Sequence, residues 1–347
     1  MRATQVGVAA ALAAVLLSGC AAVDPGTSPR TSTEDGVAQS DALLERFLPT
    51  DRPGCSGAVA IDGEVIWAAQ RGLADAAAGI PITVDTRFDI ASVSKQFTGL
   101  TALRLVEAGI LELTDTLDDH LDGIAAWGAE VTVADLLHHT SGIPDYTTLL
   151  LDSGYAIEDT TTQDDALSQL GDTELDFTPG QQFAYSNTNY VLLASIIETV
   201  TGETFATVVE REAFGGIDFR VDPASTATDV ALSYDDGEES VTGWLQVGDG
   251  SIVATPSQLA TWADLYRDPD PAVRAMTDDA VDDGAGGEYG AGIGILPDGT
   301  LSHSGAWAGF VTLFGVSADR STAIALSCNA TDAAIGTIGE GLVTIWG

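Results

Sequence analysis

Lysine is nearly absent from this chain. Of its 347 residues only Lys95 is lysine, so the other twelve of the thirteen Lys and Arg residues are arginine. Basic residues are few altogether, 13 against 52 Asp and Glu, for a formal net charge of −39. Such a surface repels polyanions, which excludes nucleic acid and anionic lipid surfaces as partners. The acids are spread along the chain among 45% hydrophobic residues, so the charge does not signal disorder. Adaptation to salt and a biased genome composition would each give the same excess. Histidine occurs only as His120, His138, His139 and His303, without a His-x-x-x-His pair, and no Cys-x-x-Cys occurs. A metal site is therefore not expected, and no cofactor is called for. The Gly-x-Ser-x-Gly pentapeptide is also missing, which excludes an α/β-hydrolase esterase.

The one long apolar run lies at the start. Arg2 supplies a positive region and Val6 to Leu17 an apolar stretch too short to span a bilayer. Leu17-Ser18-Gly19-Cys20 then resembles the lipobox of bacterial lipoproteins. The resemblance implies a leader over 1–19, cleavage before Cys20 and lipidation of its thiol; an ordinary secretory signal is the alternative. Loss of Arg2 would take the net charge from −39 to −40. Residues 20–40 are polar and turn-rich and read as a flexible tether. The remainder, 41–347, suffices for one large domain or two closely packed lobes. The expected protein is extracytoplasmic, held at the cell membrane by its N-terminal lipid only, and monomeric.

What is present begins with Ser92-Val93-Ser94-Lys95 at the start of a helix-like run. Residues three apart share a helix face, so Ser92 Oγ and Lys95 Nζ can meet. Unlike arginine, lysine can lose its proton and act as a base, the requirement for activating a serine nucleophile. The second station is Tyr185-Ser186-Asn187, delivered by the Pro179-Gly180 turn just ahead of a helix. A tyrosine phenol beside cations serves as a general base, and asparagine offers both donor and acceptor. The third is His303-Ser304-Gly305, placed at the entry to a strand near residue 310, where glycine permits close approach to the backbone.

Around these stations, Ala58 to Gln70 reads as a hairpin turning at Asp62-Gly63, and the helix after Lys95 ends at Gly109. Apolar runs place further helices from Val133 to His139, from Tyr190 to a stop at Gly202, and from Pro256 to Tyr266. Strands are expected over Tyr289 to Leu296, Phe310 to Val316 and Thr322 to Cys328, before a closing helix from about Ala333. Strands at both ends of a helical middle predict an α/β (α+β) fold. Its antiparallel sheet is built from both chain ends and flanked by helices, with a mainly helical lobe inserted at about 110–245.

In order and spacing the three stations resemble the class C β-lactamase and D-alanyl-D-alanine carboxypeptidase family of penicillin-recognising serine hydrolases. The flanks Phe88 to Phe97, Leu136 to Pro144 and Gly250 to Leu259 agree. The resemblance implies that Ser92 forms an acyl-enzyme while Lys95 and Tyr185 share the proton traffic. It implies that Asn187 orients the substrate amide and that His303 with Ser304 holds a substrate carboxylate or shuttles protons. Gly305 lets a ligand approach the backbone closely, and the resemblance implies that the backbone N–H groups of Ser92 and Ala306 form an oxyanion hole. Histidine at 303, where many β-lactamases carry lysine, turns the expectation towards D-Ala-type peptides, amides and esters, and an imidazole of ordinary pKa would make anion binding pH-dependent. The resemblance also implies that Cys55 and Cys328 lie on neighbouring antiparallel strands and form a disulfide, the alternative being two buried thiols. The rival function is a non-catalytic, penicillin-binding-like sensing or binding lipoprotein.

Overall fold

The computed structural model describes residues 32–347. The expected leader and Cys20 lie outside the described residues. An antiparallel sheet of eight strands forms the centre. Two strands come from the N-terminal part, β1 (Cys55–Ile61) and β2 (Glu64–Arg71). Six come from the C-terminal part: β3 (Val281–Asp282), β4 (Glu288–Tyr289), β5 (Gly294–Ile295), β6 (Leu301–Trp307), β7 (Phe310–Val316) and β8 (Thr322–Cys328). Their spatial order is β3-β4-β5-β6-β7-β8-β1-β2, so the sheet is closed by pairing the two chain ends. The β1–β2 turn is made by Asp62 at φ 50° and Gly63 at φ 82°, the left-handed pair that a two-residue hairpin turn demands.

The framing helices are α1 (Thr33–Phe47), α2 (Lys95–Glu107), α3 (Val133–Leu137), α4 (Tyr146–Asp152), α5 (Thr188–Thr201) and α6 (Ile335–Trp346). α1 and α6 cover one sheet face through Leu44, Leu48, Ile338 and Leu342, packed on Val59, Leu313 and Leu326. The larger core lies on the other face, where α2 packs with α5 and Phe314 of β7 joins the same cluster. Phe97 anchors α2 there. It is fully buried, with the rings of Phe214, Phe219 and Trp262 at 5.6, 4.9 and 4.3 Å. Truncating such a side chain typically costs about 3–5 kcal/mol, and it lies only two residues from Lys95. α5 stops at Gly202, whose φ of 68° is the left-handed cap expected there. Among the described residues no single helix is long and apolar enough to cross a membrane.

Three expectations are corrected. The flexible tether does not extend to residue 40, because α1 begins at Thr33 behind the N-cap Ser32. Its polar sequence is held by tertiary bonds: Trp346 Nε1 donates to Ser40 Oγ at 2.8 Å and Trp67 Nε1 to Asp41 Oδ1 at 2.9 Å. The strand expected over Tyr289 to Leu296 is broken into β4 and β5 by Gly290-Ala291-Gly292. That segment presses on its neighbours so closely that a Cβ at Gly292 would lie 2.4 Å from the Lys95 carbonyl oxygen. Finally, His303-Ser304-Gly305 lies inside a strand of its own, β6, rather than at the entry to the strand from Phe310.

Candidate active site

Ser92 lies on a 3-10 turn, Ala91–Ser94, that runs directly into α2. Ala91 holds a φ of 49°, costly for a residue with a Cβ, and its N–H donates to Asp89 Oδ1 at 2.7 Å. The turn leaves Ser92 accessible while Lys95, the first residue of α2, is fully buried. The three hydrogens of its ammonium find three acceptors: Ser92 Oγ at 3.1 Å, Asn187 Oδ1 at 2.8 Å and the Asp249 carbonyl at 2.7 Å. The Ser-x-x-Lys spacing thus delivers the contact it promised.

Tyr185 reaches the same place from the loop before α5. Its ring centroid is 5.1 Å from Lys95 Nζ, with the Tyr190 ring 5.7 Å away. The phenol is 40% exposed, so the cleft opens on its side. Beneath it lies His139, ring centroids 4.2 Å apart and the planes inclined by 32°. His139 Nδ1 accepts from the Ser186 N–H at 3.2 Å and pairs with Asn189 Nδ2 at 2.9 Å. Burial first, then the Lys95 charge, holds its pKa well below the usual imidazole value. His139 is a neutral platform under Tyr185.

His303 faces the same cluster, its ring 6.4 Å from Tyr185. Its Nδ1–H donates to the Ser304 carbonyl at 2.7 Å, which leaves Nε2 to accept from the Tyr289 hydroxyl at 3.0 Å. Burial, reinforced by the Lys95 charge, pushes its pKa down to about 3. The expected pH-dependent anion site is therefore corrected: a desolvated imidazole with both nitrogens engaged stays neutral. Ser304 differs from its neighbours in facing. Alternation along β6 puts it on the opposite face from His303 and Gly305, paired with Leu313 under the terminal helices. Its carbonyl accepts from His303 Nδ1. Gly305 is where β6 touches the nucleophile turn. A Cβ there would lie 2.4 Å from the Ile90 carbonyl oxygen and 2.9 Å from Ser92 N. Ala306 follows at once, so its backbone lies beside that of Ser92.

Away from this cleft, Cys55 and Cys328 face each other across β1 and β8, 4.0 Å apart at Cα, and are joined as a disulfide.

Three residues that sequence reasoning missed complete the cluster. Asp145 Oδ2 accepts from Asn187 N at 2.8 Å and from Asn187 Nδ2 at 3.0 Å. Tyr146 donates to Asp249 Oδ2 at 3.0 Å. Burial raises the pKa of Asp249 against the lowering effect of Lys95. Their only sequence signal is position, Asp145 directly after the flank ending at Pro144 and Asp249 directly before the one beginning at Gly250. A cavity of about 470 Å³ opens beside the nucleophile turn rather than at Ser92, lined by Asp89, Ser225, Val230, Trp307 and Phe310.

Comparison with known proteins places this geometry. The family model described as Beta-lactamase matches residues 41–337. The chain is 31% identical over 287 residues to a D-aminopeptidase of Brucella anthropi, covering 76% of this chain and 54% of that protein. It thus spans about half the length of that relative, and only 34% and 35% of two others. Among solved structures it resembles a penicillin binding protein from Bacillus halodurans, with a TM-score of 0.75 and 25% identity, covering 87% of this chain and 97% of that one. A D-stereospecific amidohydrolase from Streptomyces sp. shares the fold, with a TM-score of 0.74 and 23% identity over 89% of this chain and 98% of that one.

Proposed function

The chain belongs to the Beta-lactamase family, and on that premise we propose that it is a serine hydrolase acting through an acyl-enzyme on Ser92. The observation that carries the reading is the 3.1 Å contact of Lys95 Nζ with Ser92 Oγ, in a site where the ammonium is fully buried. Attack of Oγ on a carbonyl requires the serine proton to leave. Lys95, once it has given up a hydrogen, and Tyr185, whose ring lies against it, are the groups placed to take that proton and pass it to the leaving group. The negative oxygen formed in the attack would be met by the backbone N–H groups of Ser92 and Ala306, preorganised donors of a kind often worth about 3 kcal/mol each. No cofactor enters the scheme. The Ser92–Lys95 contact weighs against the rival reading of a sensing or binding protein.

The substrate reading follows from charge. His303 is neutral, and both its ring nitrogens are engaged within the protein. His303 thus offers no positive charge where the family resemblance placed a carboxylate-binding group. This favours amides and esters with uncharged leaving groups over peptides ending in a free carboxylate and over β-lactams. Similarity to a D-aminopeptidase supports a D-residue on the acyl side. The protein is further proposed to be a lipoprotein anchored outside the cytoplasm through Cys20, a reading that the Cys55–Cys328 bridge supports.

The test is a turnover panel: D-alanine p-nitroanilide, a p-nitrophenyl ester, a D-Ala-D-Ala peptide and a chromogenic cephalosporin, beside labelling by a fluorophosphonate. The amide and ester should turn over fastest. Absence of both turnover and labelling at Ser92 would refute the enzyme reading. Preference for the peptide or cephalosporin would refute the substrate reading alone.

A further inference from the structure

Asparagine at a helix N-cap usually spends its side-chain oxygen on the helix's own N–H groups. Asn187 stands at the N-cap of α5 and makes no such bond. Its amide points across the cleft instead, Oδ1 taking a hydrogen from Lys95 Nζ at 2.8 Å and Nδ2 giving one to Asp145 Oδ2 at 3.0 Å. The two ends of an asparagine amide are nearly the same shape, so its neighbours decide which end faces which way. Lys95 can only donate and a carboxylate can only accept.

Asp145 also receives the Asn187 backbone N–H at 2.8 Å on the same oxygen, which ties the carboxylate to the start of α5. Its other oxygen, Oδ1, caps α4 through Thr147 N at 2.9 Å and Thr147 Oγ1 at 2.6 Å. The next residue, Tyr146, holds the side chain of Asp249, whose carbonyl is the third acceptor of Lys95. Two consecutive residues at the head of α4 therefore hold both acceptors of Lys95 other than the nucleophile. Asp145 itself lies on the far side of Asn187 from the ammonium.

The geometry points to Asp145 as a positioning residue for acylation: it fixes the orientation of the Asn187 amide, and through it the place of Lys95 beside Ser92. The inference rests on the reading of Ser92 and Lys95 as the reacting pair.

Asp145→Ser separates this role from helix capping, since serine is itself a good N-cap but too short to reach Asn187. The variant should melt close to the wild type, yet its acylation by a fluorophosphonate should slow at least tenfold. In an Asn187→Ala background the same change should cost less than twofold, because the group it acts through is gone. Equal losses in both backgrounds would overturn the inference and leave Asp145 as a cap alone. A second measurement is independent of catalysis. The side-chain amide resonances of Asn187, identified by their loss in Asn187→Ala, should move in Asp145→Ser, and unchanged resonances would overturn the inference even if the protein labels with nothing. Failure of the wild type itself to label would instead count against the proposed function.

Discussion

Lys95 Nζ lies 3.1 Å from Ser92 Oγ, and its other two hydrogens go to Asn187 Oδ1 and the Asp249 carbonyl. Every hydrogen of the ammonium is placed, and the group is sealed from solvent. Ser92, by contrast, is reachable from the cleft. If the pair is the reacting pair, Ser92→Ala should abolish covalent labelling by a fluorophosphonate while circular dichroism and melting stay close to the wild type. Labelling of the variant at the wild-type rate would sink the assignment.

Lys95→Arg keeps the charge and should be nearly as damaging as Lys95→Ala. A guanidinium cannot become neutral to accept the serine proton, and its planar fork does not match three acceptors arranged around one nitrogen. Turnover should fall at least tenfold, about 1.4 kcal/mol of barrier. An arginine variant that retains more than a tenth of the activity would reduce Lys95 to an electrostatic anchor.

The three stations were legible because each is a short run whose spacing fixes its geometry. Ser92 and Lys95 are brought together by one turn of chain, and the hairpin follows from Asp62-Gly63 alone. Asp145 was not legible, because its role exists only through Asn187, 42 positions away in sequence. The neutrality of His303 was hidden for a related reason: its pKa is set by burial and then by the Lys95 charge, both properties of the assembled fold. α1 was missed because its first turns bury only Gly36 and Ser40, small residues that carry no apolar signal, while its apolar residues cluster towards its end. The alternation that sets Ser304 apart from His303 was not legible, because β6 was not recognised as a strand of its own.

Gly305→Ala should show how closely β6 presses on the nucleophile turn. The added Cβ would meet the Ile90 carbonyl oxygen at 2.4 Å and Ser92 N at 2.9 Å, both rigid backbone atoms. Either the strand or the turn must move by several tenths of an ångström, and displacements approaching 1 Å can cost about 100-fold in rate. We expect acylation to slow by about that factor with a smaller loss of melting temperature. Retention of half the wild-type rate would show that the two backbones are not coupled.

Two buried groups should give opposite pH dependences of stability. Burial raises the Asp89 carboxyl from 3.8 to about 7, with Asp249 and Asp222 adding to the rise and the Ala91 N–H opposing it. Its folded value exceeds its unfolded value, so its contribution is full below pH 3.8 and is lost as pH rises through about 7. His303, lowered from 6.5 to about 3, contributes fully above 6.5 and loses that contribution as pH falls through about 3. The two slopes oppose each other in the wild type, so the difference between variant and wild type isolates each. The melting temperature of Asp89→Asn relative to wild type should rise between pH 4 and 8. That of a His303→Gln variant relative to wild type should rise as pH falls from 6.5 towards 3. A flat difference for Asp89→Asn would show that its carboxyl is ionised throughout.

The disulfide links the two chain ends through the central sheet, joining β1 to β8 across a sequence separation of 273. Closing so long a loop restricts the unfolded chain strongly, and losing a native bridge typically costs about 2–5 kcal/mol. The pair belongs to the core under α1 and α6, on the face of the sheet away from His303 and Gly305. Stability and chemistry should therefore separate. The double variant Cys55→Ala, Cys328→Ala should lose about 2–5 kcal/mol in denaturant unfolding, and each single variant about as much, since either one removes the whole link. Acylation well below the melting temperature should stay within about threefold of wild type, because the strand that bears the cleft is held independently by β7. Thiol titration of the unfolded, unreduced mature protein should find neither Cys55 nor Cys328 free. Two titratable thiols at these positions would show that the opposed cysteines remain reduced, and a matching collapse of acylation in the alanine pair would show that the cleft depends on the link between the chain ends.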